Sequence, residues 1–193
     1  MTPSKQNLFF YLERAFNYDN RLIESLVSAF STFNAKKREH LLLVGQKEDY
    51  VSFVGKGCIR TYFIKENGEE ATRYVAFENT FINSLSSFLN RTPSQEAVQA
   101  LEDTEGLRIH RDRLEHLLNA NPLAQAMYTK RVEMAFDHNN WRLETLMTMP
   151  AKARYQYFLD NQPEVIQRLS NKVLASYLGI TQESLSRIKG RRP

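Results

Sequence analysis

The stretch that decides the fold lies near the carboxyl end, where residues 171–190 read Asn-Lys-Val-Leu-Ala-Ser-Tyr-Leu-Gly-Ile-Thr-Gln-Glu-Ser-Leu-Ser-Arg-Ile-Lys-Gly. Apolar side chains recur there at helical spacing, at Leu174, Leu178, Ile180, Leu185 and Ile188. Ala175 is small enough for two helices to cross closely, and Gly179 can adopt the left-handed backbone that ends a helix. Thr181 is a good N-cap for a second helix over 182–189. The pattern predicts a helix-turn-helix.

The outward face of the second predicted helix carries side chains that can read a DNA major groove. Arg pairs with guanine, Gln with adenine and Glu with the cytosine amino group, and the candidate base-reading residues are Gln182, Glu183, Ser186 and Arg187. Phosphate contacts supply affinity without sequence reading, and the candidates for them are Lys172, Thr181, Ser184, Lys189, Arg191 and Arg192. An ordinary helical hairpin with a coincidental Ala and Gly is the alternative interpretation.

Positive charge is concentrated in the same region. Residues 151–193 contain eight Lys or Arg against three Asp or Glu, a net of +5, whereas the other 150 residues carry 18 basic and 19 acidic groups, a net of −1. The sequence pI of 9.2 therefore reflects the last fifth of the chain, as expected of a nucleic-acid-binding module. A solvated basic face would give the same charge pattern.

Length and composition limit the other possibilities. The 193 residues, 42% of them hydrophobic, suffice for one good core and a small second domain. No stretch approaches the roughly 18 to 20 apolar residues that cross a bilayer, and the amino terminus lacks the layout of a secretory signal. The single cysteine, Cys58, excludes an internal disulfide and a cysteine-built iron–sulfur or zinc site. We therefore expect a cytoplasmic protein without a metal site.

Hydrophobic periodicity divides the rest of the chain into segments. Residues 4–35 are helical in pattern, with buried stripes predicted at Leu8, Leu12, Phe16, Leu22, Ile23, Leu26, Val27 and Phe30. From about Lys37 to Ile109 the period is that of strands, which are predicted over 41–45, 50–54, 57–64, 72–77 and 97–101. Asn67-Gly68 is a strong hairpin signal between two of them. Short strands at this spacing predict a small barrel or sandwich.

A long helical segment follows the strands. A short helix is predicted from Arg113 to Leu118, and a longer one begins at Asn121-Pro122 and continues without a breaker to Met149-Pro150. Apolar residues recur every seven positions along it, which is typical of a helix that packs against its twin in a dimer. The predicted dimer seam consists of Met127, Tyr128, Met134, Ala135 and Trp141. The alternative is that this stripe covers the strand region.

This order of parts resembles the Crp-Fnr family of bacterial transcription regulators. The resemblance is carried by Gly45, Gly57 and Asn67-Gly68 in the strand region, and by residues 174–181 and Arg187-Ile188 in the helix-turn-helix. It implies an α+β fold in three parts: an N-terminal β-roll (a double-stranded β-helix, cyclic-nucleotide-binding-like) with flanking helices over 1–121, a dimerisation helix over 122–149 and a winged-helix-like DNA-binding domain over 150–193.

The resemblance implies a homodimeric regulator, and not an enzyme, whose partners are double-stranded DNA, a second copy and RNA polymerase, with no membrane. Recognition helices of the family carry an Arg-Glu pair and then an Arg four residues after the Glu, and Gln182, Glu183 and Arg187 match two of these three positions. The sequence stops three residues after Gly190, where the family usually continues into a β-hairpin wing. We therefore expect fewer phosphate contacts, with Arg191 and Arg192 as partial substitutes.

The effector region departs from the nucleotide-binding members of the family. Those members have a Gly-Glu pair where this sequence has Asn83-Ser84, and an Arg-Ser pair that neutralises the cyclic phosphate, whereas no Arg stands beside Ala97 here. Burying a phosphate without a cation costs several kcal/mol, so cyclic AMP is not the expected ligand. A surviving pocket for an unidentified small-molecule effector would be lined by Asn83, Ser84, Ser86, Ser87, Arg91, Ser94 and Gln95. A roll that has lost effector binding is the equal alternative.

Two other classes of function fit the sequence less well. One is a ligand-binding or protein-interaction module whose basic tail binds a partner other than DNA. The other is an enzyme of the cupin type, which needs histidines clustered on neighbouring strands. The four histidines are scattered along the sequence instead, at His40, His110, His116 and His138. No resident cofactor is predicted.

Overall fold

The computed structural model describes residues 1–16 and 19–190. Its helices are α1 (Pro3–Phe16), α2 (Asn20–Ser28), α3 (Leu85–Asn90), α4 (Arg111–Ala120), α5 (Pro122–Thr148), α6 (Ala151–Asn161), α7 (Pro163–Arg168), α8 (Asn171–Leu178) and α9 (Gln182–Gly190). Its strands are β1 (Ser31–Ala35), β2 (His40–Leu42), β3 (Tyr50–Lys56), β4 (Ile59–Ile64), β5 (Glu70–Ala76), β6 (Phe81–Ile82), β7 (Glu96–Ala100) and β8 (Thr104–His110). The Phe16 side chain, Arg191 and Arg192 lie outside the described residues, so the roles predicted for them stay predictions.

The chain divides into two compact units. The first, called the roll unit below, comprises Met1–Phe63 and Tyr74–Thr129. The second, the C-terminal unit, comprises Ile64–Arg73 and Lys130–Pro193. The turn between β4 and β5 thus belongs to the C-terminal unit, although the strands on either side of it run through the roll. Within the described residues, no helix has the length and apolar character needed to span a bilayer.

The roll unit is built from two antiparallel sheets. Within the described residues, the strand orders are β1-β8-β3-β6 and β2-β7-β4-β5. Side chains that alternate inward from both sheets form the core, namely Phe33, Ala35, Leu42, Val54, Ile59, Ala76, Ile82, Val98 and Ala100. A second cluster joins α1 and α2 to the sheet through Leu8, Leu12, Ile23, Leu26, Val27, Phe53 and Leu107. The predicted α+β class with an N-terminal β-roll is confirmed.

The hairpin predicted from Asn67-Gly68 is present between β4 and β5. Gly68 has a φ of 81°, which a residue with a side chain rarely adopts. The Gly68 N–H donates to the Lys65 carbonyl and the Lys65 N–H to the Glu69 carbonyl, each over 2.9 Å. The Asn67 side-chain oxygen accepts the Glu69 N–H over 3.1 Å. The signal was reliable because the turn depends only on residues that are adjacent in sequence.

The first helical segment ends earlier than the sequence pattern predicts. Residues 31–35, predicted as the end of that segment, form strand β1, which pairs with β8 from Ser31↔Arg108 to Ala35↔Thr104. The prediction of helix over these five residues was wrong. Phe33 and Ala35 face the core while Thr32 and Asn34 are exposed, and five residues are too few for this alternation to be distinguished from a helical period.

The second sheet also departs from its predicted bounds. The strand predicted over 41–45 ends at Leu42, because Leu43 and Val44 are exposed and Gly45 turns the chain with a φ of 88°. The prediction included both apolar residues on composition alone. In the first sheet, strand β6 has only two residues. A segment of that length gives no periodic signal in the sequence.

Gly57 combines a left-handed backbone with a lack of space for a side chain. Its φ is 100°, and a Cβ placed there would lie 2.6 Å from Thr104 Oγ1 and 2.8 Å from the Asp103 carbonyl oxygen. Gly68 has a similar positive φ but open space around it. Comparison of substitutions at the two glycines therefore distinguishes the cost of backbone strain from the cost of steric overlap.

We predict that Gly57→Ala lowers the free energy of unfolding by about 3 kcal/mol or more, because strain and overlap add. The matched variant Gly68→Ala should cost about 1 to 2 kcal/mol, from strain alone. Urea denaturation of both variants measures the difference. Equal losses would contradict the steric argument.

Candidate nucleic-acid interface and effector region

The helix-turn-helix predicted from residues 171–190 is formed by α8 and α9. The side chain of Ser170 accepts the Val173 N–H and caps the start of α8. At its end, Gly179 is left-handed with a φ of 67°, and the Ile180 N–H donates to the Ala175 carbonyl over 3.0 Å. These bonds satisfy helix-end carbonyls that would otherwise lack donors. Thr181 Oγ1 accepts the Ser184 N–H over 3.2 Å, which begins α9 as predicted.

All four candidate base-reading residues, Gln182, Glu183, Ser186 and Arg187, are exposed on α9, whereas Leu185 is buried. A hydrogen bond from its own backbone N–H and one from the Thr181 hydroxyl hold the pKa of Glu183 below its usual range. Glu183 is therefore an ionised acceptor at neutral pH. Arg187 Nη2 donates to Ser184 Oγ over 3.3 Å, an exposed contact that a stronger acceptor could replace.

The predicted phosphate-contacting residues fall into two groups. Thr181 and Ser184 are engaged in capping α9, where their side-chain oxygens lie 3.2 Å apart. Lys172 is exposed and lies 3.8 Å from the Glu70 carboxylate. Lys189 donates to Asn171 Oδ1 over 2.7 Å. Their contact with a DNA backbone stays a prediction.

A contact that sequence reasoning missed fixes α8 to the β4–β5 hairpin, within the C-terminal unit. Ser176 Oγ accepts the Thr72 N–H and donates to the Glu70 carbonyl, both over 2.7 Å. Arg73 also donates to Asn139 Oδ1 on α5 over 3.0 Å. Residues 70 and 176 are 106 positions apart, so no local signal marks them as partners.

Arg154 is a second residue whose role the sequence did not reveal. It counts toward the positive charge of the carboxyl fifth, yet it is only 8% exposed. Its Nε donates to the Leu178 carbonyl over 2.9 Å, and its Nη1 donates to the Met149 carbonyl. Arg154 therefore caps the ends of two helices and is not available to DNA.

The predicted effector-lining residues divide between the interior and the surface of the roll unit. Asn83, Ser84, Ser87 and Ser94 are buried, whereas Ser86, Arg91 and Gln95 are exposed. Arg91 pairs with the exposed Glu115 over 2.6 Å, so it does not supply the cation that an internal phosphate would need. The structure thus buries four of the seven residues.

Three of the buried residues, Ser84, Ser87 and Ser94, are linked by hydrogen bonds to Glu48, a residue that sequence reasoning did not single out. Glu48 is 6% exposed. Its two carboxylate oxygens accept the N–H groups of Tyr50 and Ser84, each over 3.1 Å. Ser94 Oγ lies 2.9 Å from Ser84 Oγ. Because Glu48 precedes Ser84 by 36 positions, only the folded chain shows that they meet.

Burial raises the pKa of Glu48 to about 7, although the hydrogen bonds from Ser84 and Tyr50 lower it and the charges of Asp49 and Glu96 raise it further. The nearby cation, Arg111, uses its Nη2 on the Glu48 backbone carbonyl over 2.7 Å. The expectation that cyclic AMP is not the ligand stays a prediction.

The residues predicted as a dimer seam do not share one exposed face of α5. Met127 is buried in the core of the roll unit, and the Trp141 ring lies 5.0 Å from the Tyr157 ring of the C-terminal unit. Both side chains thus pack against residues of their own protomer. Met134 is 50% exposed, but the most exposed apolar residues of the helix are Phe136, Leu143 and Met147, at 62%, 58% and 77%.

Among the described residues, no group of three or more His, Cys, Asp and Glu side chains could hold a metal ion. His40 instead shares a 2.9 Å hydrogen bond with the Tyr62 hydroxyl. His110 caps α4 by accepting the Asp112 N–H.

Comparison with known proteins agrees with this architecture. Residues 32–121 match the family model of the cyclic nucleotide-binding domain. That part of the chain is similar to domains of the cyclic nucleotide-binding type. No curated protein matches the sequence significantly.

Solved structures resemble nearly the whole chain. FixK2 from Bradyrhizobium japonicum is 21% identical with a TM-score of 0.71, over 84% of this chain and 83% of that one. The c-di-GMP-responsive global regulator CLP from Xanthomonas campestris is 15% identical with a TM-score of 0.72, over 90% and 91%. A putative transcriptional regulator of the crp/fnr family from Eubacterium rectale is 17% identical with a TM-score of 0.71, over 93% and 85%. The chain has the fold of the Crp-Fnr regulators, as the sequence resemblance predicted.

We predict that the stability of the roll unit falls as the pH rises from about 5 to about 8. The Glu48 pKa is raised on folding from 4.5 to about 7, so the folded state binds more protons than the unfolded state between these values. The free energy of unfolding should drop by about 3 kcal/mol across this window. In Glu48→Gln that contribution to the drop should vanish, whereas at pH 5 the two proteins should differ little. Urea denaturation of both proteins at several pH values measures the free energy of unfolding. The same pH dependence in Glu48→Gln as in the wild type would show that Glu48 is not the group responsible.

Proposed function

We propose that this protein is a sequence-specific, homodimeric DNA-binding transcription regulator of the Crp-Fnr type. The observation that carries the proposal is the geometry of α8 and α9, in which a left-handed Gly179 and the Thr181 cap present Gln182, Glu183 and Arg187 together on one exposed face. These residue types suit base edges in a major groove. The printed descriptions of similar structures, a global regulator and a transcriptional regulator, support the same function.

Dimerisation would use the exposed stripe of α5, formed by Phe136, Asn140, Leu143 and Met147. These residues follow spacings of four, three and four, the a/d pattern of a two-stranded coiled coil, with a polar Asn at one core position. The stripe replaces the predicted seam because Met127 and Trp141 already pack within the protomer. A two-fold dimer would place its recognition helices about 34 Å apart, to read a roughly palindromic site.

Regulation in this proposal does not depend on cyclic AMP. The carboxylate of Glu48 lies where the buried polar residues of the roll converge, so an anionic nucleotide would bring a second negative charge into a desolvated region. The regulator is therefore either independent of an effector or responsive to a ligand without that charge. RNA polymerase is a further partner proposed from the family resemblance.

We predict that Arg187→Ala weakens binding to the selected site by about 1 to 3 kcal/mol and relaxes one base position. The matched variant Lys189→Ala should weaken binding to all duplexes equally. It should also make the plot of the logarithm of the binding constant against the logarithm of the salt concentration less steep, by the amount that one phosphate contact contributes. Selection from a random duplex pool, followed by titrations at several salt concentrations, measures both. If Arg187→Ala keeps the sequence preference of the wild type, Arg187 does not read a base. If the wild type shows no salt-dependent binding to duplex DNA, the alternative of a protein-interaction module is favoured.

We predict that the double variant Phe136→Glu/Leu143→Glu is monomeric in analytical ultracentrifugation and keeps its fold, because both side chains are exposed in the protomer. Charges facing each other across the coiled coil would repel. Met134→Glu, on the opposite side of the same helix, should remain dimeric. If only Met134→Glu dissociates the dimer, the seam predicted from the sequence is the correct face.

A further inference from the structure

The interior of the C-terminal unit contains a guanidinium without a hydrogen-bond acceptor. Arg142 on α5 is 6% exposed, and within the described residues its Nε and Nη1 atoms have no hydrogen-bond partner. The guanidinium stacks on the Tyr177 ring of α8, 4.4 Å from its centroid. A cation–π contact compensates for only part of the hydration lost on burial.

The surroundings of Arg142 add positive charge instead of relieving it. Burial lowers the pKa of Arg142 most, and the charge of Arg154 lowers it further, while the Tyr177 hydroxyl raises it. Burial likewise lowers the pKa of His138, with further lowering from Arg142 and Arg73. These groups lie on α5, α6, α8 and the β4–β5 hairpin, all within the C-terminal unit. Arg154 thus adds a like charge near Arg142, and the group that raises the Arg142 pKa is the Tyr177 hydroxyl and not a carboxylate.

We propose that Arg142 anchors a binding site for a small oxyanion, a phosphate or carboxylate group, inside the C-terminal unit. A guanidinium offers five N–H donors in a rigid plane and forms charge-assisted hydrogen bonds with such groups. The anion would accept from Nε and Nη1 and neutralise a charge that the folded chain leaves uncompensated. Arg142 is preferred to Lys for this purpose because its charge is delocalised and more weakly hydrated.

A second copy of the chain is not the expected source of the anion. With about 100° of rotation per residue, Arg142 lies about 120° around the helix from Phe136 and further from Met147. A protomer that packs on the exposed stripe therefore does not face the guanidinium. DNA is not the source either, because α9 presents its candidate base readers on its exposed face, whereas Arg142 lies buried against Tyr177 of α8. A small diffusible anion is therefore the proposed occupant.

The test is thermal unfolding of the full chain in sodium phosphate, compared with sodium chloride at the same ionic strength and pH. At a phosphate concentration about ten times Kd, the Tm of the wild type should rise by about 3 to 6 °C. Lys152→Met, which removes an exposed cation of the same unit, should show the same rise. Arg142→Met should show none, and without phosphate it should be at least as stable as the wild type, because the buried charge with incomplete hydrogen bonds is removed.

An equal phosphate response in Arg142→Met would overturn the proposal. Isothermal calorimetry of the wild type with phosphate and with acetate keeps the test independent of whether that variant folds, and it distinguishes a phosphate site from a carboxylate site. Binding of one anion per chain, weakened at least tenfold in Arg142→Lys, is the expected result. No binding of either anion by the wild type would also overturn it. Both experiments omit DNA, so their outcome is separate from that of the proposed function.

Discussion

Removing a charged side chain from water costs several kcal/mol unless hydrogen bonds or an opposite charge replace its hydration, and both units of the chain contain such groups. In the roll unit, two backbone N–H groups donate to the buried Glu48, and burial raises its pKa to about 7. In the C-terminal unit, Arg154 donates to helix-end carbonyls, whereas Arg142 has the ring of Tyr177. The proposed small-anion site in the C-terminal unit follows from this difference, because the hydrogen bonds of Arg142 are incomplete and those of Arg154 are not.

The candidate DNA-reading face depends on backbone geometry more than on the reading side chains themselves. Gly179 turns the chain, the Ile180 N–H closes the end of α8 on Ala175, and Arg154 satisfies the Leu178 carbonyl. None of these groups is a candidate for contact with a base. They set where α9 begins, and Gln182, Glu183 and Arg187 can vary in base preference without altering that position. This separation explains why a departure at residue 182 leaves the motif intact while its preferred base cannot be carried over from the family.

The parts of the structure that the sequence predicted are those set by neighbouring residues. Asn67-Gly68 forms its hairpin and Gly179 ends its helix because positive φ and local hydrogen bonds decide both turns. The pattern failed at Ser31–Ala35, where the pairing partner that selects a strand lies on β8, far along the chain. Glu48, Ser176 and Arg154 gave no signal, since each acts through a partner many positions away. The seven-residue repeat on α5 found apolar residues correctly, but it could not tell which of them the protomer itself would cover.

The anchoring of the β4–β5 hairpin on Ser176 makes the C-terminal unit discontinuous along the chain, since ten of its residues, Ile64–Arg73, come long before the rest. A fragment that begins at residue 130 would lack the segment that binds Ser176 and would leave the Ser176 hydroxyl without these partners. Recombination that exchanged the helix-turn-helix alone would therefore separate it from the hairpin that Ser176 binds. During synthesis the hairpin emerges from the ribosome before α8 does, so the C-terminal unit can be completed only after α8 has emerged as well.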